Sequence, residues 1–368
     1  MRKNDQVVVI GGGPAGLAAA IALQGRGLRV TVVDAARPPV EKVCGEGLLP
    51  ETLASLRAIG VDTANFAGVP FRGVRYVGIH EQIEAKFPGE HALGIRRTEL
   101  HRELLIAATD FRTEFRWQTS VEGITPQGVR VGGTTLPARW IIGADGAASR
   151  VRSWAGLDKA SSSTQRFAFR RHFRGTPWTD LLEVHWGKRG QAYVTAVGLD
   201  EICVVVMSRD SKLRIDEALC DFPALARNLE RCKPIDKERG AVSRNRVLRR
   251  VTNDRVALVG DASGTVDAIT GEGIGLAFRQ AQALASAISN ENLDEYETEH
   301  RELRRKPQIM AKMLLAMGWS EFLQERTLSA LAANPKVFER LLKAHVGSGS
   351  ALEVAEAGLK LGWGLLTA

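Results

Sequence analysis

Val7-Val-Val-Ile-Gly-Gly-Gly-Pro-Ala-Gly16 is an apolar run that stops at a glycine turn and passes into helix-compatible sequence. Val7 to Ile10 predict a buried strand. Gly11, Gly13 and Gly16 form G-x-G-x-x-G, with Pro14 and Ala15 opening the helix. The first glycine permits the turn, the second lets the main chain approach a phosphate, and the third lets helix and strand pack closely. The free N–H groups and the positive dipole end of the helix then face an anion. A second apolar run, Leu28 to Val33, ends in Asp34, where the pattern requires an acid for a ribose hydroxyl. Strand, turn, helix, strand and acid in this order predict dinucleotide binding. The glycines alone would fit any tight βαβ turn.

The remaining composition sets bounds. The 368 residues are 44% hydrophobic and 25% charged, ordinary for a globular chain with room for two cores sharing an interface. No apolar run approaches the length of a membrane span. Met1-Arg-Lys-Asn-Asp5 leads straight into the first strand, which predicts no signal peptide. Cys44, Cys203, Cys220 and Cys232 lack CxxC or zinc spacing and read as reduced thiols of a cytoplasmic protein, with no metal site expected. The net charge of +8 raises nucleic acid as a partner, but the basic residues do not gather on one predicted helix and no nucleic-acid motif is present. A basic stretch from Arg227 to Arg255 contains Arg244, Arg246, Arg249 and Arg250. It reads first as a solvated face around a linker. The sharper reading is attraction of an anionic reductant such as NADPH, or of an anionic membrane surface. A monomer or homodimer is expected.

Two more motifs follow. Trp140-Ile-Ile-Gly-Ala-Asp-Gly-Ala-Ala-Ser-Arg-Val-Arg152 is a short strand ending in Gly-Ala-Asp-Gly, which places Asp145 where α/β sheets put ligand contacts. Taken alone it also fits an Asp-Gly turn. Arg255-Val-Ala-Leu-Val-Gly260-Asp261-Ala262 is another strand running into a polar turn. Beyond it, glycines 271, 273 and 275 give way to a predicted helix from Ile274 to Ile288, a second helix start able to hold polar cofactor atoms. Asp261 suits a sugar-like chain, or equally a helix cap.

The three motifs in this order resemble the FAD-dependent superfamily of p-hydroxybenzoate hydroxylase and geranylgeranyl reductase, over about residues 5–290. That resemblance implies an α/β protein: a Rossmann-type FAD-binding domain interleaved with a mixed β-sheet substrate domain, plus C-terminal helices. The FAD part would occupy residues 1–155, with a substrate-side insertion at about 62–95. The sheet domain would span 156–250, the return to the FAD domain 251–292, and the helical segment 293–368. By the same likeness Gly11, Gly13, Pro14, Ala15, Gly16 and Asp34 would hold the ADP half of FAD. Gly260 and Asp261 would meet the ribityl and pyrophosphate region. The loop from Asp267 to Gly275, including Gly271, Gly273 and Ile274, would pass beside the isoalloxazine, with Asp267 and Gly271 among the residues nearest the chemistry. Asp145, with Ser149 and Arg152, would support the cofactor cleft. Arg97-Thr-Glu-Leu-His101 matches a helix start where relatives place an arginine against FAD; Arg97 takes that role, with Arg96 as the competing register.

Branch assignment rests on local features. Cys44-Gly45-Glu46-Gly47 and Thr270-Gly-Glu-Gly273 resemble the reductase branch. Cys44 would then sit near the flavin to tune it or protonate, or simply pack beneath it. Ala268 stands where hydroxylases and many reductases carry proline, and the Trp-x-Trp-x-Ile pattern of tryptophan halogenases is absent. The resemblance leans slightly to an NAD(P)H-dependent monooxygenase, NADPH favoured, hydroxylating an apolar aromatic or polyketide-like molecule through a flavin hydroperoxide. C=C reduction of an isoprenoid or similar lipid is the near alternative, and a flavin-binding protein without turnover a remote one. The chemistry belongs to the flavin; the protein contributes orientation, electrostatics and exclusion of water.

The substrate should meet residues 155–250. Arg166-Phe-Ala-Phe-Arg-Arg-His-Phe173 puts Phe167, Phe169 and Phe173 on one side of a strand. Glu183–Trp186, Ala192–Ala196 and Val204–Met207 are further strand candidates. Phe169, His185 and Tyr193 are the substrate candidates, with Arg170 and His172 as further polar groups. Met310, Met313, Leu314, Leu315 and Met317 make an adaptable apolar surface, expected to pack across the FAD domain, with a greasy substrate entry or membrane contact as the lesser reading. Gly347-Ser-Gly-Ser350 predicts a flexible joint before an apolar ending, Leu359 to Ala368.

Overall fold

The computed structural model describes residues 6–347, together with Leu352 and Gly358. Most of the expected joint at residues 347–350 and the apolar ending from Leu359 onward lie outside the described residues.

Val7, Val8 and Val9 are fully buried because their strand, Gln6–Ile10, is covered on both faces, as a parallel sheet requires. It pairs in parallel with Arg29–Val33 on one side and Trp140–Gly143 on the other. Val256–Leu258 lies beyond Trp140–Gly143, and Glu114–Arg116 beyond Arg29–Val33. The three motifs, far apart in sequence, thus end on adjacent strands at one edge of the sheet. Backbone bonds carry the alignment past the strand ends: Ala144 N–H donates to Ile10 O at 2.8 Å and Val259 N–H to Gly143 O at 2.9 Å.

The helix Pro14–Gln24 is buried on nearly every side, and its alanines let the helix Gly273–Ser289 pack close against it. A Cβ on Gly16 would lie 1.8 Å from Gly11 O, so only glycine fits where helix meets turn.

The second sheet contains the four strands read from residues 155–210, now bounded as Ala160–Arg174, Leu182–Gly187, Gly190–Gly198 and Glu201–Ser208. Gly73–Val77 and Gln82–Lys86, from the segment interrupting the Rossmann unit, extend it along Leu182–Gly187. Arg239–Leu248 pairs antiparallel with Ala160–Arg174. This corrects the linker reading of the basic stretch: Arg239, Arg244 and Arg246 lie on a strand, Arg239 and Arg244 exposed and Arg246 partly buried, while Arg249 and Arg250, just past its end, are exposed. Phe167, Phe169 and Phe173 do share a face, but it packs on the short helices Ile215–Ala218 and Pro223–Leu229.

The long helix Leu293–Met317 bridges both parts. Its first half presses Tyr296 against the Rossmann sheet, where the buried hydroxyl donates to Leu258 O at 2.7 Å. Beside it, His300 Nε2 lies 2.9 Å from Ser263 Oγ. Burial, with Arg304 and Arg301 alongside, pushes His300 down to about 3. The folded protein therefore keeps this ring neutral, while the unfolded chain protonates it near the ordinary value of 6.5. Its contribution is intact above pH 6.5 and lost as pH falls from there towards 3, on the order of a few kcal/mol in all. Urea unfolding across that range should show the decline, and His300→Gln should flatten it.

Candidate active site

A cavity of about 1130 Å³ lies where the strand ends of the first sheet, one face of the second and the C-terminal helices meet. One end is polar, lined by Gly11, Gly13, Asp34, Arg97, Asp145 and Asp261. The other is apolar, lined among others by Val184, Met207, Leu314, Met317, Leu331 and Phe338. At the junction Tyr193 donates its hydroxyl to Ile269 O at 3.0 Å and Thr195 donates to Gly45 O at 2.8 Å, fixing the two loops that face each other there. Burial pushes the Tyr193 hydroxyl up, so it stays a donor.

The glycine loop is clamped from behind. Gly12 N–H donates to Asp34 Oδ2 at 2.6 Å, and Ala36 N–H to Oδ1 at 2.7 Å. His101, wholly buried, accepts from Val40 N–H at Nδ1, 2.9 Å, and lies 2.7 Å from Gly12 O through Nε2. A carbonyl only accepts, so Nε2 carries the proton and the ring bridges two loops as the neutral tautomer. Burial lowers its pKa accordingly. His101 was missed as a functional residue, although it falls within the quoted Arg97–His101 stretch; nothing local marks it, because its partners lie 61 and 89 residues away.

Several features fit a large polar cofactor. A Cβ on Gly13, Gly45, Gly271 or Gly273 would meet nothing within 4 Å, so these backbones open on the cavity. Arg97 Nε and Asp145 Oδ1 are buried without a hydrogen-bond partner among the described residues, which leaves both available to a ligand. Arg96 instead pairs with Glu201, which resolves the register in favour of Arg97 at the cavity. Asp145 also accepts from Arg150 and Val151 N–H, and Ser149 caps the same short helix. Arg152 is a buried staple: it donates to Ala262 O and Ala147 O, tying the second motif to the third. Asp261 lines the cavity and pairs with Lys42 at 2.7 Å. Pro14, Ala15, Gly16 and Gly260 sit around the loop, although Gly16 faces Gly11 rather than the cavity. Cys44 and Ile274 line the cavity.

Three expected residues stand elsewhere. Asp267 is absent from the cavity wall: it is buried, pairs with Arg166 at 3.1 Å and caps the turn Ala268–Thr270. It anchors the loop Ala268–Thr270 instead of facing the cavity. Phe169 lies on the far face of its strand beneath Arg214. His185 is on the far face too, 3.1 Å from Glu183. Side chains alternate along a strand, and the neighbours Ala168 and Val184 face the cavity in their place. Of the substrate candidates only Tyr193 is in the wall, joined by Tyr76 and Met207. The second half of the helix Leu293–Met317 lines the cavity through Met310, Met313, Leu314 and Met317, so it does more than cover the FAD domain.

A profile of the FAD binding domain family matches residues 4–306. The chain belongs to this FAD-binding family. It is 27% identical over 328 residues to the menaquinone reductase of Mycolicibacterium smegmatis, covering 80% of this chain and 79% of that one. It is 22% identical over 335 residues to the digeranylgeranylglycerophospholipid reductase of Methanococcus vannielii, covering 83% and 84%. In structure it resembles the flavin-dependent brominase Bmp2, with a TM-score of 0.79 at 16% identity and 98% of each chain covered, a likeness of fold. The relatives include reductases and hydroxylases, and this family member is an FAD-dependent oxidoreductase.

Gly13→Ala separates folding from cofactor binding. The new methyl group meets no protein atom, so the unfolding midpoint of the FAD-free protein should be unchanged. FAD affinity should fall at least about tenfold, the equivalent of about 1.4 kcal/mol. Equilibrium titration followed by flavin fluorescence reads it.

Proposed function

We propose that this FAD-dependent oxidoreductase uses NADPH to hydrogenate a carbon–carbon double bond in a long, apolar, isoprenoid-type molecule. The observation that carries this reading is the apolar end of the cavity. It runs from the loops at Cys44–Gly45 and Thr270–Gly273 into a space walled by Leu, Met, Val and Phe side chains from the second sheet and three C-terminal helices. Such a wall offers a long hydrocarbon chain contact throughout and few hydrogen bonds, whereas a small phenol would leave most of it unfilled. The names of the reductases that match along most of their length support the same substrate class. Two hydroxylases match over less than half of this chain. These points reverse the slight preference for hydroxylation.

When bound, FAD would supply two-electron transfer from the nicotinamide to the substrate. Gly11 and Gly13, at the start of the helix Pro14–Gln24, would take the pyrophosphate; Asp34 and Arg97 would orient the adenosine side and the ring side of the cleft. Asp145 and Asp261 would receive hydroxyls of the linking chain. Lys42, Arg150 and Arg244 at the cavity would attract the anionic reductant. The apolar wall would exclude water and hold the double bond in place.

The test uses holoenzyme reduced by NADPH without oxygen and mixed with geranylgeraniol or with 3-hydroxycinnamic acid. The expected result is flavin reoxidation by the isoprenoid with two hydrogens added to the product. Oxygen-dependent hydroxylation of the phenol, with no anaerobic alkene reduction, overturns the reading. Leu314→Trp, which fills the apolar end, should raise KM for geranylgeraniol by about tenfold, in line with the effect of altered pocket volume. Its rate of FAD reduction by NADPH should stay as in the parent protein.

A further inference from the structure

Behind Cys44 lies a set of buried charges that cofactor binding alone does not require. Arg170 is fully buried and donates to Glu41 at 2.6 Å, with Asp236 at 3.4 Å and Glu46 at 3.5 Å. His172, also fully buried, stands between two carboxylates. Its Nδ1 is 2.7 Å from Asp236 Oδ2 and its Nε2 is 2.7 Å from Glu46 Oε2. A neutral imidazole has one N–H and one lone pair, so it can donate to only one of them. A second proton must therefore reside in the chain, on the ring or on a carboxyl group.

The two ends of this chain face different surroundings. The Asp236 side chain is 24% exposed, so it meets solvent. Glu46 is in the cavity wall, with its side chain only 1% exposed. Its backbone is left-handed, φ +57°, which a non-glycine residue adopts only where its surroundings hold it. The surroundings are visible: Glu46 N–H donates to Cys44 Sγ at 3.4 Å, and Glu46 Oε1 accepts from Arg97 N–H at 3.0 Å. Burial works against the Asp236 carboxylate, yet hydrogen bonds from His172 and the charge of Arg170 hold it below its ordinary range. The other charged or titratable groups around the chain are Glu41, Arg96, Arg239 and the Cys203 thiol, which burial pushes up. Glu46, His172 and Cys203 also lie within 4.8 Å of one another through ligand-type atoms, but the Arg170 guanidinium, 3.2 Å from His172 Nε2, opposes a cation there.

We propose that Asp236, His172 and Glu46 form a proton line from solvent to the flavin-side wall of the cavity. The identity of its acceptor rests on the hydrogenation reading. Hydrogenation puts a hydride, with its electron pair, on one alkene carbon and a proton on the other. NADPH supplies the hydride equivalent by way of the bound cofactor, and NADP⁺ leaves. The proton comes from Glu46, which recovers one from His172, as His172 does from Asp236 and water. The protein itself is returned unchanged.

Two measurements on the holoenzyme test the line. Reduced-minus-oxidised infrared difference spectra, with no substrate present, should show a carboxyl band that shifts in D2O and is lost in Glu46→Gln. In single turnover, reduced His172→Gln should transfer to geranylgeraniol about 100-fold more slowly, the range expected for a lost proton donor, with a larger solvent isotope effect. Its reduction by NADPH should be unaffected. His172→Gln keeps a donor towards Glu46 without shuttling a proton; His172→Asn, which keeps one towards Asp236, replaces it if FAD is lost. A fully loaded variant that turns over at the parent rate, or the absence of any Glu46-dependent band, overturns the line. If the parent protein hydrogenates no alkene, the hydrogenation reading falls and the infrared result alone decides the line.

Discussion

The site depends on the parallel pairing of three strands, Gln6–Ile10, Trp140–Gly143 and Val256–Leu258. Each ends in a polar or glycine-rich turn, and none of those turns can hold a large cofactor by itself. Parallel pairing forces all three turns to one edge, because every strand in such a set runs the same way. Long connections are the consequence, since parallel neighbours cannot be joined by a hairpin. The second sheet is built largely from those connections. The polar and apolar ends of the cavity are therefore one topological result.

Buried polar groups then set the loops that the strands only aim. His101 ties the glycine turn to Val40, Arg152 ties Ala147 to Ala262, and Arg166 holds Asp267 at the start of the turn Ala268–Thr270. Each joins segments distant in sequence in a place where water cannot substitute, so an unpaired partner would be costly. Such groups shape the cavity through backbone position. They are easily mistaken for residues of the chemistry itself, and Asp267 illustrates this: its place beside Ala268 and Gly271 in the chain does not make its carboxylate face the cavity.

The cofactor half was readable because its signals are local. Gly11, Gly13 and Gly16 declare a backbone geometry, and a strand, a turn and a helix start follow one another within a dozen or so residues. The strands of the second sheet were readable too, from alternation at period two. Which face of each strand meets the cavity was not. Phe169 and Val184 sit on equally regular alternating strands, yet one is turned to small helices and the other to the cavity. The choice is made by what packs on each side, and the packing elements, Ile215–Ala218, Pro223–Leu229 and the C-terminal helices, come from other parts of the chain.

The sequence by itself determined the dinucleotide fold and the cofactor class, and it marked glycines whose backbones open on the cavity, because glycine geometry and strand periodicity act over a few residues. Tertiary structure alone decided that Met310 to Met317 complete an apolar chamber, that Arg97 rather than Arg96 reaches the cavity, and that His172 stands between Asp236 and Glu46, 64 and 126 residues away in the chain. These are matters of long-range packing and burial. A side chain's partner, and with it its charge and its task, is fixed only when distant segments close around it.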